Sequence, residues 1–233
     1  MKILALETST EVGSCALWLD GSVQERVCPP GRPHSETLLP LVRSLLAEAG
    51  LSFSQLSAVA FGVGPGAFTG LRVACGAAQG IAVAADLPLV PVVSLEAMAD
   101  AAGADHVFSL LDARMGEVYY GAYQRREEGF DLLGEIRLST PEGIDFPTGS
   151  QWIACGNGLA AYPRLAQRAS AMGIACLPSI LPSILPMASP VARLGAVRFA
   201  AGEVLDPADA APLYVRDKVA KTVAERLSEG GKA

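Results

Sequence analysis

Apolar and polar positions fall into short runs through the first hundred residues. Residues 2–7 are apolar up to Glu7, residues 13–20 are rich in β-compatible side chains, and residues 22–28 follow an Asp20-Gly21 turn signal. Together they predict three successive strands. In residues 37–49, Leu38, Leu41 and Leu45 recur with Leu39, Val42 and Leu46, the wide apolar stripe of a helix. Thr37 is its expected N-cap, which leaves Pro40 in the first turn, where its missing N–H costs nothing. A strand at 58–63 leads through the turn Gly62-Val63-Gly64-Pro65-Gly66 into a second helix, capped by Thr69 and running to about Ala85. A strand at 89–93 and a short helix from Ser94 complete a β-β-β-α-β-α-β-α unit.

The same order then restarts. Strands are predicted at 107–111, 118–123 and 130–137, then a strand at 152–155, a helix at 159–172 and another at 188–201. The pattern predicts an α/β fold of two RNase H-like lobes, each a mixed sheet flanked by helices, with a boundary near residue 104. The lobes are residues 1–104 and 105–233, with the option that the C-terminal segment packs back onto the first. The doubled Pro-Ser-Ile-Leu at 178–185 reads as an irregular apolar connection.

The second helix stands apart. Between Gly70 and Ala85 its only polar side chains are Arg72 and Gln79, seven apart and on one face. A helix apolar nearly all round is covered on more than one side. An interior helix and an association surface shared with the first helix both satisfy that pattern.

Composition narrows the function. The chain is 51 % hydrophobic and 18 % charged, with a net charge of −6, against unaided binding of nucleic acid, which takes clustered Lys and Arg. Lysine occurs only at Lys2, Lys218, Lys221 and Lys232, so residues 3–217 hold no amine for a P-loop or a Schiff base. Five dispersed cysteines without CxxC spacing read as reduced cytosolic thiols packed as small hydrophobes. Residues 49–71 and 169–192 are long and uncharged, but prolines interrupt both, and the early Glu7 argues against a signal peptide. A soluble, cytoplasmic chain is expected.

Few residues offer chemistry. Residues 62–67 fit G-x-G-x-x-A between a strand and a helix, the setting of a dinucleotide site, but three strands precede it and only Asp86 stands near the ribose position. Glycines serving a tight turn and close helix packing satisfy the same pattern. His34-Ser35-Glu36 has the letters of a triad, but consecutive residues cannot form its linear relay. The only other histidine is His106, so no standard zinc set exists. Glu7, Glu11 and Asp112 are candidates for a carboxylate–Mg²⁺ site.

Three segments then carry a resemblance: Ile3-Leu4-Ala5-Leu6-Glu7-Thr8-Ser9, His34-Ser35-Glu36-Thr37-Leu38-Leu39-Pro40 and Gly64-Pro65-Gly66-Ala67-Phe68-Thr69-Gly70-Leu71-Arg72. With Leu111-Asp112-Ala113-Arg114, Glu117-Val118-Tyr119-Tyr120, Gly156-Asn157-Gly158 and Pro212-Leu213-Tyr214-Val215-Arg216, the chain resembles the TsaB (YeaZ) family over nearly its whole length. The resemblance implies the duplicated actin-like fold and a non-catalytic subunit. Such a subunit pairs with a catalytic paralogue, TsaD, and a small P-loop ATPase, TsaE, to place threonylcarbamoyl on the tRNA adenosine beside the anticodon. It implies docking through the first two helices, with His34, Leu38, Leu41, Leu45, Phe68, Leu71, Arg72, Cys75, Ala78, Gln79 and Ala82 as interface residues. Without that partner the exposed apolar face is expected to favour a homodimer through the same surface; the acidity leaves tRNA contact to the complex, and no cofactor is expected.

The paralogue's His-x-x-x-His pair falls on Ser94 and Met98, which cannot replace imidazole on a hard metal, and its Asp-Glu pair on Glu11-Val12. Glu7, Thr8 and Ser9 with Gly156, Asn157 and Gly158 form a candidate vestigial nucleotide site. A free-standing ATPase or small-molecule kinase of the same fold is the alternative, though no base for phosphoryl transfer is evident.

Overall fold

The computed structural model describes residues 1–149, 151–177 and 184–216. Its first half runs β1 (Lys2–Glu7), β2 (Ser14–Leu19), β3 (Ser22–Val27), α1 (His34–Glu48), β4 (Ala58–Gly64), α2 (Phe68–Ala85), β5 (Leu89–Val93) and α3 (Ser94–Ala102). The second runs β6 (His106–Arg114), β7 (Glu117–Arg125), β8 (Phe130–Ser139), β9 (Ile153–Cys155), α4 (Gly158–Ala161), α5 (Pro163–Ala171), β10 (Ala175–Cys176) and α6 (Ala188–Ala200).

Two five-stranded sheets result, ordered β3-β2-β1-β4-β5 and β10-β9-β6-β7-β8. In each, three strands form an antiparallel meander and two more add in parallel beside the first strand. This is the duplicated RNase H-like arrangement of the actin-like ATPase fold.

Strand periodicity sets the layers, because alternate side chains leave a sheet on opposite faces. Leu4 and Leu6 join Leu17, Val59 and Phe61 beneath α1 and α2. Ile3 and Ala5 face the other way and, with Ala16, Ala58 and Ala60, form a small-residue floor for α6. Gly195 brings that helix so close that a Cβ there would lie 2.6 Å from the Ala60 Cβ. α3 fills the space between the sheets: Ala97 joins the core under α6, while Leu95, Met98 and Ala99 pack on Val107, Leu111 and Tyr123. α5 covers the far face of the second sheet through Leu165 and Ala169. α6, though late in the chain, thus completes the first sheet.

Several boundaries differ from expectation. α1 starts at His34 behind Pro33, so Thr37 lies inside it, donating its hydroxyl to the Pro33 carbonyl, and Pro40 is interior. α2 starts at Phe68, one residue before its expected cap. The helix predicted at 159–172 breaks into two because Pro163 forces Tyr162 out of helical geometry (φ −129°, ψ 82°). By length and composition α2 could cross a membrane; in the fold it lies on the first sheet. The Pro-Ser-Ile-Leu doubling falls mostly outside the described residues.

Candidate functional site

Two places could carry function, a cleft between the lobes and the outer face of α1 and α2. The cleft encloses about 630 Å³. Its first-lobe wall is the Ser9–Glu11 turn and the starts of α1 and α2; the second-lobe wall is Asp112–Arg114, Tyr119 and Asn157. α1 and α2 both begin here without a side-chain cap, so their leading N–H groups lie at the cleft wall.

The first turn is built inward. Glu7 is wholly buried; the Ser9 N–H donates to its Oε1 at 2.6 Å and the Ser94 hydroxyl to its Oε2 at 3.0 Å. Burial raises the Glu7 pKa above the usual carboxylate range, against the lowering effect of those hydrogen bonds. Thr8 donates its hydroxyl to the Gly70 carbonyl at 2.7 Å. A Cβ on Gly62 would lie 1.9 Å from Glu7 Oε2, one on Gly66 2.4 Å from the Ser9 carbonyl, and one on Gly70 1.8 Å from that of Thr8. The glycines of the dinucleotide-like segment therefore make room for the protein's own first turn. Of the candidate nucleotide residues, Ser9 and Asn157 face each other across the cavity, while Glu7 and Thr8 lie behind its wall. Asn157 Oδ1 accepts the Asp112 N–H at 2.8 Å, with Gly156 and Gly158 packed against the Leu110 carbonyl.

The magnesium candidates do not assemble. Glu11 and Asp112 share the Arg114 guanidinium, at 3.4 and 3.3 Å, while Glu7 is buried apart, and no group of three metal-ligating side chains occurs among the described residues. His34 Nε2 donates to the Thr10 carbonyl at 3.0 Å and its Nδ1 faces Gly13, so the imidazole addresses no serine. Ser94 is engaged by Glu7, and Met98 is fully buried in the core. Burial pushes the Cys15 and Cys155 thiols up to about 12, so neither is a nucleophile at neutral pH.

Residues 204–216 form a strap from α6 back across α2. Leu205 exchanges backbone hydrogen bonds with Leu89 at the sheet edge. Gln79 donates to the Pro207 carbonyl at 2.9 Å, and the Leu213 N–H donates to Val63. Tyr214 stacks on Phe68 and accepts from Arg72 Nε at 3.0 Å. Arg216 ends the strap on the second lobe, donating to the Ala113 carbonyl and to Glu117.

These contacts take up most of the side chains expected at an interface. Leu38, Leu45, Cys75, Ala78 and Ala82 belong to the first lobe's own core, Leu41 is half-buried against it, and Leu71 is buried at the wall of the cleft. Phe68, Arg72 and Gln79 are engaged by the strap, and His34 lies at the cleft. The physical reason is the near-uniform apolarity of α2: the stripe 71, 75, 78, 82 has proper helical spacing, but it turns inward, Ala78 and Ala82 into the core, Cys75 toward the strap and Leu71 to the cleft wall. What α2 turns outward is Thr69, Gly76, Gly80, Val83 and Ala84. Val83 is 73 % exposed, and a side chain at Gly76 or Gly80 would meet open space. α1 adds Leu39, Pro40, Arg43 and Ala47. Sequence reasoning missed these residues, though Gly76 and Gly80, four apart, were a usable signal of an outward small-residue stripe.

With the geometry in place, comparison with known proteins gives consistent results. Residues 30–222 match the family profile described as TsaD: tRNA N6-adenosine threonylcarbamoyltransferase. The tRNA threonylcarbamoyladenosine biosynthesis protein TsaB of Escherichia coli K12 is 37 % identical, covering 94 % of this chain and 96 % of that protein. Its Haemophilus influenzae counterpart is 33 % identical over 94 % and 95 %. Among solved structures, YeaZ from Pseudomonas aeruginosa is 38 % identical with a TM-score of 0.82, covering 91 % of this chain and 99 % of that one. A second Pseudomonas aeruginosa structure, described as similar to peptidase YEAZ, gives 0.83 at 38 % identity, over 92 % and 99 %.

Proposed function

The chain belongs to the TsaB family of tRNA threonylcarbamoyladenosine biosynthesis proteins, and from that premise we propose that it is a non-catalytic scaffold docking a catalytic threonylcarbamoyl transferase paralogue. The observation that carries this reading is the bare outer face of α1 and α2. Gly76, Gly80, Val83 and Leu39 leave an apolar surface through which small residues admit close backbone approach. Such a patch is unfavourable in water and marks an association site. The same face pairs two copies when the partner is absent. The ATPase TsaE and the tRNA meet this subunit within the complex. The inward-turned Glu7, Ser94, Met98 and His34 favour the absence of transfer chemistry in this chain.

The test is a substitution on the outward stripe, with capture of the transferase paralogue of the same organism as the readout. Gly76→Arg is expected to keep a native circular dichroism spectrum and to lose the transferase. Ala78→Arg is expected to unfold the first lobe, because it forces a cation into a fully buried position. Undiminished transferase capture by Gly76→Arg and Gly80→Arg variants would sink the docking reading.

A second reading, a free-standing ATPase or small-molecule kinase, draws on the cleft and the two helix starts that open into it. Against it, no described carboxylate stands ready as a base: Glu7 is buried behind the wall, and Glu11 and Asp112 are tied to Arg114. Stoichiometric ATP binding by the isolated chain in calorimetry would favour it; no heat of binding would remove it.

A further inference from the structure

The strap ends on a guanidinium whose donors are not all met. The Arg216 side chain is only 15 % exposed. Its Nη2 donates to the Ala113 carbonyl at 3.0 Å and to Glu117 Oε2 at 2.7 Å. Its Nε is buried without a partner among the described residues, and its Nη1 rests on the Met115 sulfur at 3.4 Å. A thioether is a weak acceptor, so part of this largely buried cation is poorly compensated. Met115 lies between β6 and β7 at the tip of their hairpin and is 62 % exposed, whereas Met98 is fully buried. A reagent in solution therefore reaches the one side chain that supplies Nη1 with its acceptor.

We propose that Met115 is a modification site for peroxide, and that its sulfoxide supplies the acceptor Arg216 lacks and clamps the strap to the second lobe. In that step a sulfur lone pair attacks one oxygen of hydrogen peroxide, and the S–O bond forms as the O–O bond breaks. The sulfur gives up two electrons and the peroxide takes them. The proton on the transferred oxygen passes to the departing hydroxide, which leaves as water, and the thioether becomes a sulfoxide. The new oxygen is one bond from the sulfur that already touches Nη1. A hydrogen bond from a guanidinium to that oxygen is charge-assisted and stronger than the N–H to sulfur contact it replaces. Inside a core the added oxygen would disrupt packing; on an exposed side chain beside a cation short of acceptors it tightens the contact. The strap also holds α2 through Arg72 and Gln79, so the oxidation state of the hairpin sets how firmly α2 and the second lobe are tied.

The experiment treats the full-length chain with dilute hydrogen peroxide, locates the added oxygen by peptide mass spectrometry, and compares amide hydrogen exchange before and after. Met115 is expected to take up oxygen well ahead of the buried Met98. Exchange in residues 113–117 and 213–216 should then slow several-fold, with the first-sheet amides unchanged. Methionine sulfoxide reductases should restore the original exchange. Met115→Leu cannot be oxidised at that position and should show no peroxide effect on these amides. Met172→Leu, at the exposed end of α5, should keep the effect. Met115→Gln offers a permanent side-chain oxygen and should slow the same amides without peroxide. Both positions are exposed, so all three variants should keep the native circular dichroism spectrum. Unchanged or faster exchange around Arg216 once Met115 is oxidised would overturn the clamp, as would a slowing that survives in Met115→Leu. Oxidation of Met115 no faster than that of Met98 would overturn the modification site itself.

Discussion

Glu7 shows how a residue with the letters of catalysis is put to structural use. A carboxylate on the first strand, followed by Thr8 and Ser9, was readable as a remnant of phosphate chemistry. The sequence did not disclose that Gly62 leaves room for the carboxyl to turn inward, where Ser94 closes over it. That geometry depends on a neighbour 87 positions away, which no local pattern reports. Because burial raises its pKa, Glu7 favours the fold most below the ordinary carboxylate range, and this contribution is lost as pH climbs through the raised value. Glu7→Gln keeps an oxygen for the Ser9 N–H and places an amide against Ser94. It should therefore gain about 1–2 kcal/mol over wild type at pH 8, with the gain vanishing toward pH 4, measured by urea denaturation at both.

Elements were more legible than faces. The three opening strands, the later strands and the helices at α1, α2 and α6 were legible in the local runs of apolar positions, while the strand directions were not. The side of α2 that meets the sheet did not, because Leu71, Cys75 and Ala78 look no different in kind from Val73, Ala77 and Val83 until a partner is chosen. Nor did the sequence show how α6 is fastened to α3. Arg198 Nη2 meets Glu96 Oε2 at 2.5 Å, Arg193 meets Asp100 at 2.7 Å, and Arg198 also donates to the Pro91 carbonyl. Burial raises the Glu96 pKa and Arg198 opposes that rise. Arg198→Ala should cost about 2–3 kcal/mol in chemical denaturation, because it strands a buried carboxylate. The cost is less than for a fully buried pair, as a quarter of the Arg198 side chain meets solvent. Arg193→Ala, at a more open pair, should cost less than half as much.

Across the whole molecule, the strap ties the lobes. It takes hold of α2 through Gln79 and Arg72 and ends with Arg216 on the hairpin between β6 and β7. There Arg114 and Met115 hold left-handed backbone (φ 60° and 55°), a conformation most side chains resist. The Arg216 contact to the Ala113 carbonyl supports that turn from outside. Arg216→Ala should speed amide hydrogen exchange in residues 113–117 several-fold while leaving the first-sheet amides unchanged. Uniform acceleration would instead mean a general loss of stability.

The return of α6 to the first sheet has a consequence for how the polypeptide matures as it is made. Strands β1, β4 and β5 are complete by Val93, yet the alanine-rich side that receives α6 stays bare until Ala200 has been translated. At about 5–20 residues per second that interval is roughly 5–20 s, during which a sticky sheet surface waits on its last helix. A nascent chain halted within that window is a client for chaperones, whereas one released beyond it closes over its own seam.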